Sequence, residues 1–295
     1  MPYATTRDGI RLYWEANGSG APLLFVHEYA GDHRSWESQV RYFSRRYRCI
    51  AFNARGYPPS DVPAADAAYS QEIARDDVVA VMNAAEVTGT VGAHVVGHSM
   101  GAYTALHVGL DHPRRCRSLT LAGCGWGSQP GMRETSLALA REIGEMFRKE
   151  GIEVAAHKYA GLAMRAQHRA KDPHGFAQFV RWMSEHSAEG HALTMLNVQI
   201  RRPTIGELEP RLRTLRLPTL VVLGDEDDAC IDGSLILKRA IPNAGLLMLP
   251  CAGHTINSEE PAAFNAALAD FLAAVENGRW RARPQEAPAG SVNLT

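Results

Sequence analysis

The sequence lacks the charge imbalance that would point to a nucleic acid or a membrane surface. Its 31 Lys and Arg residues are balanced by 32 Asp and Glu residues, and the formal net charge is -1. Without an excess of positive charge, little would attract a phosphate backbone or an anionic lipid surface. We therefore expect a small molecule as partner, with no nucleic acid and no membrane, and leave open whether the chain forms a homodimer.

Long apolar runs and paired cysteines are also missing. No apolar run approaches the roughly 20 residues needed to cross a bilayer, and the opening Met-Pro-Tyr-Ala-Thr-Thr-Arg-Asp lacks the regions of a secretory signal. The five cysteines are odd in number and never spaced as C-x-x-C, which disfavours a disulfide framework or a zinc knuckle. We expect a cytoplasmic protein that holds no metal.

What the sequence does contain is an alternation of short apolar, β-rich runs with helical patterns. Strands are predicted at 23–27, 49–53, 94–97, 118–122, 219–224 and 246–249, preceded by a hairpin that begins at 6–15. Helices are predicted near 35–46, 70–87, 101–111, 233–240 and 259–275. Such alternation is typical of crossover connections, so we predict an α/β fold with a mostly parallel eight-stranded sheet flanked by helices.

The alternation stops between residues 125 and 213, where apolar and aromatic residues recur at helical spacing. We predict a helical cap over 125–213, inserted after the sixth strand into a core formed by 1–124 and 214–276. Residues 277–295 offer little to bury, and a disordered tail is predicted there.

A candidate nucleophile lies in the Gly-His-Ser-Met-Gly sequence at 97–101, which matches G-x-S-x-G. The apolar residues before it predict a strand and those after it a helix, and this strand-turn-helix context is what a nucleophile elbow requires. Small glycines on both sides let the backbone turn tightly and expose the Ser99 hydroxyl. The alternative is a serine that merely caps a helix.

A serine needs a base, and for a nucleophile on such an elbow the chain order is Ser, then acid, then His. His254 is the histidine that follows the cap, directly after the predicted strand at 246–249. The acid should follow a strand as well, and we choose Asp227 from the acidic run after the strand at 219–224. Backbone N–H groups of Tyr29 and Met100 would then form the oxyanion hole.

Together these segments resemble the α/β-hydrolase superfamily, in particular its capped branch of esterases, enol-lactonases, cofactor-free haloperoxidases and meta-cleavage-product C–C hydrolases. The resemblance covers residues 9–275 and implies the fold, the cap and the triad of Ser99, Asp227 and His254, with no cofactor required. The sequence departs from the family where Glu28 and Pro58 replace glycines and where Asp228 replaces a common proline. Glu28 matters most, because it neighbours the predicted oxyanion hole.

The expected activity is hydrolysis of a small carboxylic ester or lactone through an acyl-enzyme. Candidate substrate contacts are Glu28, His98, Trp126 and Trp182, although the Glu28 side chain could instead turn away from the pocket. Two alternatives stay open, C–C bond hydrolysis of a vinylogous diketone and a binding protein without catalysis. Arginines of the cap could serve the first by holding an acid group, and they are Arg165, Arg169, Arg181, Arg201 and Arg202.

Overall fold

The computed structural model describes residues 2–282 and contains a single eight-stranded sheet in that range. Its strands are β1 (Tyr3–Thr5), β2 (Arg11–Asn17), β3 (Ala21–Val26), β4 (Tyr47–Phe52), β5 (Ala93–His98), β6 (Cys116–Ala122), β7 (Thr219–Gly224) and β8 (Ala244–Leu249). The order is β1-β2-β4-β3-β5-β6-β7-β8, with antiparallel pairing of β1 to β2 and of β2 to β4 and parallel pairing elsewhere. The predicted fold class is therefore confirmed.

Helices cover both faces of the sheet. They are α1 (Glu37–Phe43), α2 (Gln71–Ala84), α3 (Met100–Asp111), α4 (Arg133–Ala160), α5 (Ala166–Lys171), α6 (Pro173–Ser184), α7 (Ala188–Leu193), α8 (Glu209–Leu212), α9 (Asp228–Ala240), α10 (Ile256–Glu259) and α11 (Pro261–Glu276). Because successive strand residues point to opposite faces, Val95 packs in the cluster with α2, α3 and α9, whereas Val96 packs in the cluster with α1 and α11. Central strands buried on both faces read as continuous apolar runs, as β7 does.

Helices α4 to α7 and the π-helical turn Thr194–Gln199 occupy the range predicted for the cap. α4 is interrupted at Gly151, whose φ of 76° lies in the left-handed region that glycine tolerates. The apolar side chains of these helices pack with Tyr29, Tyr57 and Met100, which follow the carboxyl ends of the core strands. The cap is thus held over the edge of the sheet where Ser99 emerges.

The segment after α11 differs from the prediction. Residues 277–282 belonged to the predicted disordered tail, but the Trp280 ring packs on Phe271 with centroids 4.6 Å apart, and its Nε1–H donates to the Asn243 carbonyl at 2.8 Å. A large aromatic ring that can reach an open face of the edge strand becomes partly buried in spite of its polar neighbours. The remainder of that prediction, 283–295, lies outside the described residues.

Within residues 2–282, none of the helices combines the length and the apolar character that crossing a membrane requires.

Candidate active site

Ser99 lies on a strained turn between β5 and α3. Its φ of 53° and ψ of -112° are unusual for a residue with a side chain. The glycines on either side make the turn possible, because a Cβ on Gly97 would lie 2.2 Å from the Gly101 carbonyl oxygen, and one on Gly101 would lie 2.1 Å from that of Val26. Local strain of this kind persists where the surrounding structure over-determines it, which is common at functional sites.

The other two candidate residues come from the ends of neighbouring strands. Asp227 follows β7 and His254 follows β8, and the His254 Nδ1 lies 2.8 Å from Asp227 Oδ2. Both side chains are buried, and both line the same pocket as Ser99. The structure thus brings the three residues predicted from the sequence to one site.

The electrostatics of this pair suit a base held by a carboxylate. Burial alone would raise the pKa of Asp227, but the proximity of His254 and their hydrogen bond lower it below its ordinary value. Burial would also lower the pKa of His254, yet Asp227 outweighs that effect and raises it. Asp227 therefore stays ionised and fixes the Nδ1–H tautomer of the imidazole, which leaves Nε2 free to accept a proton.

The loop that carries His254 is fixed from three directions. His98 Nε2 lies 2.7 Å from the His254 carbonyl oxygen, and the His254 N–H donates to the Met164 carbonyl of the cap at 2.9 Å. The Glu259 carboxylate accepts from the N–H groups of Gly253 at 2.7 Å and Thr255 at 3.0 Å. Met164 and Glu259 had no distinguishing sequence signal, since a carbonyl contact carries none and Glu259 reads as an ordinary first-turn acid.

The backbone at Tyr29 is oriented by His27. The Ala54 N–H donates to His27 Nε2 at 3.0 Å, so Nδ1 must carry the proton and donate to the Glu28 carbonyl at 2.7 Å. Burial lowers the pKa of His27 to about 4, which keeps this neutral tautomer at physiological pH. Because the Glu28 carbonyl and the Tyr29 N–H share one peptide plane, fixing the first also orients the second. Met100, the first residue of α3, supplies the other predicted donor.

Glu28 does not occupy the role of a substrate contact. Its carboxylate forms a bidentate ion pair with Arg165 of the cap, with Nη1 to Oε1 at 3.0 Å and Nη2 to Oε2 at 2.6 Å, and both side chains are buried. Burial alone would raise the pKa of Glu28, but the charge of Arg165 holds that pKa well below its ordinary value. The carboxylate beside the predicted oxyanion hole is therefore ionised and neutralised by a cation from the cap.

The pocket above Ser99 comprises about 500 Å³ of space not filled by protein atoms, and this figure includes space that is open to solvent. Most of its wall is apolar and comes from the cap: Trp126, Leu139, Ile143, Tyr159, Leu162, Met164 and Met195. Two polar residues of the cap, Gln199 and Arg202, also line the pocket, and the core contributes Asp227, Ala229 and Cys230 beside Ser99 and His254. A substrate in this pocket would meet an apolar wall and one cationic side chain.

Of the four predicted substrate contacts, Trp126 is the one that lines this pocket. The prediction for the other three needs correction. Glu28 is paired with Arg165, and His98 is buried beneath the site, where it holds the carbonyl of His254. Trp182 lies elsewhere on the cap, with the Arg34 guanidinium 5.2 Å from its ring centroid. Helical spacing predicted that Trp182 belongs to an amphipathic helix but could not say which neighbour its face meets.

Asp227, Cys230 and His254 have the spacing of a metal site, because their ligand atoms lie within 4.8 Å of one another. Asp227 and His254 are hydrogen-bonded to each other at 2.8 Å, and the Cys230 Sγ–H donates to the Gly123 carbonyl at 3.3 Å. Each of the three groups therefore has a partner within the protein.

Comparisons with known proteins agree with the fold. A family model for the alpha/beta hydrolase fold matches residues 21–148. The chain is 30% identical over 276 residues to a Variovorax paradoxus protein named RutD and assigned provisionally as a carbamate hydrolase, covering 90% of this chain and 97% of that one. It is 27% identical to a 2-hydroxy-6-oxononadienedioate/2-hydroxy-6-oxononatrienedioate hydrolase of Comamonas testosteroni, covering 89% and 91%. The solved structure of a thermophilic esterase from Thermogutta terrifontis is 25% identical, with a TM-score of 0.80 over 93% of this chain and 98% of that one.

Proposed function

The chain belongs to the α/β-hydrolase family, and from that premise we propose that it is a serine hydrolase that cleaves a small carboxylic ester or lactone through an acyl-enzyme. The observation that carries the proposal is the Asp227–His254 hydrogen bond of 2.8 Å in the pocket that also contains the Ser99 elbow. A carboxylate, an imidazole and a serine in one buried site are the parts that acyl transfer requires.

The reaction proceeds in two halves. His254 Nε2 takes the proton of the Ser99 hydroxyl while Oγ attacks the carbonyl carbon, and the N–H groups of Tyr29 and Met100 stabilise the oxyanion. The tetrahedral intermediate collapses as His254 returns the proton to the leaving oxygen. Water, deprotonated by the same imidazole, then attacks the acyl-enzyme and releases the acid. Asp227 holds the ring and stabilises the imidazolium throughout.

The relatives support a hydrolase and differ in the bond that they cleave. The names of those described above cover a carbamate, a dienedioate and an ester. One catalytic centre can serve several of these bonds, because each passes through attack on a carbonyl carbon. The alternative that keeps a specific observation in its favour is C–C bond hydrolysis of an acidic diketone, since the buried Arg202 lines the pocket.

Kinetics on p-nitrophenyl esters of short acids test the proposal. Asp227→Asn should lower kcat by roughly 10⁴-fold, as neutralising a triad aspartate does, because the imidazole loses its correct tautomer. The exposed neighbours Asp225 and Asp228 provide matched controls, and their change to Asn should cost less than about tenfold, since neither contacts the imidazole. If Asp225→Asn or Asp228→Asn proved the more damaging, the acid would be misassigned. If no ester or lactone were hydrolysed while an acidic diketone was, the alternative would replace the proposal.

A further inference from the structure

Arg202 is a buried cation in the wall of the candidate active site. Its side chain is 3% exposed, and it lines the same pocket as Ser99 and His254. The guanidinium lies over the Tyr103 ring, 3.6 Å from its centroid, and Nη2 makes one long contact of 3.5 Å to the Trp126 carbonyl. Nη1 is buried and has no hydrogen-bond partner among the described residues. One strong donor at the pocket wall is therefore unused.

The charge of Arg202 is also unbalanced. Within residues 2–282, no carboxylate lies within 4.0 Å of its guanidinium, as the ion pairs of that range show. The other fully or nearly buried arginines are paired, Arg165 with Glu28 and Arg55 with Asp77 and Asp8. Burying an unpaired charge is costly. Because the other two buried arginines are paired and Arg202 is not, we expect a ligand in the pocket to supply the anion that balances its charge.

The groups around Arg202 do not supply the missing negative charge. The titratable groups that interact with Arg202 include Tyr103, Tyr159, Cys124, Cys230 and Arg133. Burial raises the pKa of Tyr159 to about 12, so that residue is neutral at physiological pH. Burial raises the pKa of Tyr103 to about 12 and of Cys124 to about 12, and raises that of Cys230 well above its ordinary value, so these three are neutral at physiological pH. Arg133 adds a second positive charge. None of these groups supplies a negative charge that would balance the guanidinium.

Gln199 adds a second polar group at the same place. It ends the π-helical turn Thr194–Gln199, is 5% exposed, and lines the pocket together with Arg202. Its Oε1 has no hydrogen-bond partner among the described residues. An unused donor on Arg202 and an unused acceptor on Gln199, set in an otherwise apolar wall, are the pattern of orienting contacts in a ligand site. The Gln199 oxygen suits an O–H or N–H group of a ligand, whereas the Arg202 donor suits an anion.

We propose that Arg202 binds a carboxylate of the substrate, so that the enzyme acts on acyl compounds that carry an acid group at the end away from the scissile carbonyl. This inference rests on the proposed function, because the pocket is that of Ser99. A carboxylate matches the planar donor fork of a guanidinium and carries the single charge needed to balance it.

Paired substrates separate the anchor from general binding. On the acyl side, the p-nitrophenyl monoester of adipic acid is compared with its methyl-ketone isostere, which has the same shape and no charge. On the leaving-group side, carboxyphenyl butyrate is compared with acetylphenyl butyrate. The measured quantity is the ratio of kcat/KM for acid over ketone in each pair, and one of the two pairs should show a ratio of about 10-fold to 100-fold, the value of a charge-assisted hydrogen bond.

Variants then locate the discrimination. Arg202→Gln should reduce the acid-over-ketone ratio to about one, and Arg202→Lys should give an intermediate ratio because the charge is kept while the fork is lost. Arg201→Gln is the matched control, since Arg201 is the exposed neighbour and its loss should leave the ratio within about twofold. A ratio near one in the unaltered enzyme for both pairs, or a ratio that Arg202→Gln leaves intact, would overturn the proposal.

A binding measurement keeps the anchor testable apart from catalysis. Calorimetry with the Ser99→Ala protein and monomethyl adipate should show an affinity about tenfold or more above that for the methyl-ketone isostere, and the difference should vanish on adding Arg202→Gln. Equal affinities would refute the carboxylate site even if esters are hydrolysed. Hydrolysis that depends on Ser99, with no preference for the acid, would defeat this inference and leave the proposed function standing. Preferential binding of the acid without ester hydrolysis would support this inference and contradict the proposed function.

Discussion

Two arginines from different parts of the cap reach the catalytic end of the sheet, and their surroundings differ in one respect. Arg165, which precedes α5, meets the Glu28 carboxylate beside Tyr29, and its charge is balanced inside the protein. Arg202, which follows the π-helical turn, meets an aromatic ring and an open pocket. Burial and residue type are the same in both places. The difference between the two buried arginines is whether the protein itself supplies a carboxylate to pair with the guanidinium.

The Glu28–Arg165 pair also explains how a carboxylate can lie beside the proposed oxyanion hole. A free negative charge there would disfavour the developing negative charge of the intermediate. The bidentate pair with Arg165 removes that penalty and ties the cap to the loop of Tyr29, while the Met164 carbonyl ties the same cap segment to the backbone of His254. The cap residues 164–165 thus contact two parts of the proposed catalytic site.

The largest effect on stability is expected when the Glu28–Arg165 ion pair is broken by substitution of Arg165. Arg165→Met leaves Glu28 ionised, buried and unpaired, so the free energy of unfolding should fall by about 3–5 kcal/mol. Chemical denaturation measures it, and Arg169→Met, which removes an exposed arginine of α5, should change the unfolding free energy by less than about 1 kcal/mol. The double variant Glu28→Gln with Arg165→Met should recover at least half of the loss. If the double variant lost as much free energy of unfolding as Arg165→Met alone, lost packing and not the unpaired charge would explain the destabilisation.

The unpaired arginine should behave in the opposite way. Arg202→Met removes a buried cation without stranding an anion, so the relief of desolvation offsets the lost contact with Tyr103. We expect the unfolding free energy to change by less than about 1 kcal/mol, measured in the same denaturation series. A destabilisation as large as that of Arg165→Met would show that Arg202 is part of the structural core and would erase the contrast between the two residues.

The smallest effect concerns pH. In the proposed mechanism His254 acts as a base only when neutral, so kcat/KM should fall as the pH decreases through its pKa. Burial lowers the pKa of His254 and Asp227 raises it further than that, while Glu28 also raises it and Arg165 lowers it. Glu28→Gln should therefore move the acid limb of the pH profile to lower pH and Arg165→Gln should move it to higher pH, each by less than about one unit. Shifts in the same direction would contradict this electrostatic picture.

The features that could be predicted from the sequence are those formed by residues that lie close together along the chain. The elbow around Ser99 is local, because its glycines adjoin it, and the strand ends before Asp227 and His254 are visible as apolar runs. The Glu28–Arg165 pair joins residues 137 positions apart, so each residue alone reads as a family departure or as one cap arginine among several. Arg202 is buried and its neighbour Arg201 is exposed. Helical spacing in the sequence does not predict which of the two arginines is buried.

Covalent labelling of Ser99 tests the central claim most directly. The protein would be treated with a fluorophosphonate, digested and mapped by mass spectrometry, alongside Ser99→Ala and a heat-denatured sample. We predict one modified peptide, the one that contains Ser99, in the native protein only, because the hydroxyl is nucleophilic only beside a folded His254 and Asp227. Modification of another residue, or labelling that persists in a folded Ser99→Ala protein, would contradict the assignment of Ser99 as the nucleophile.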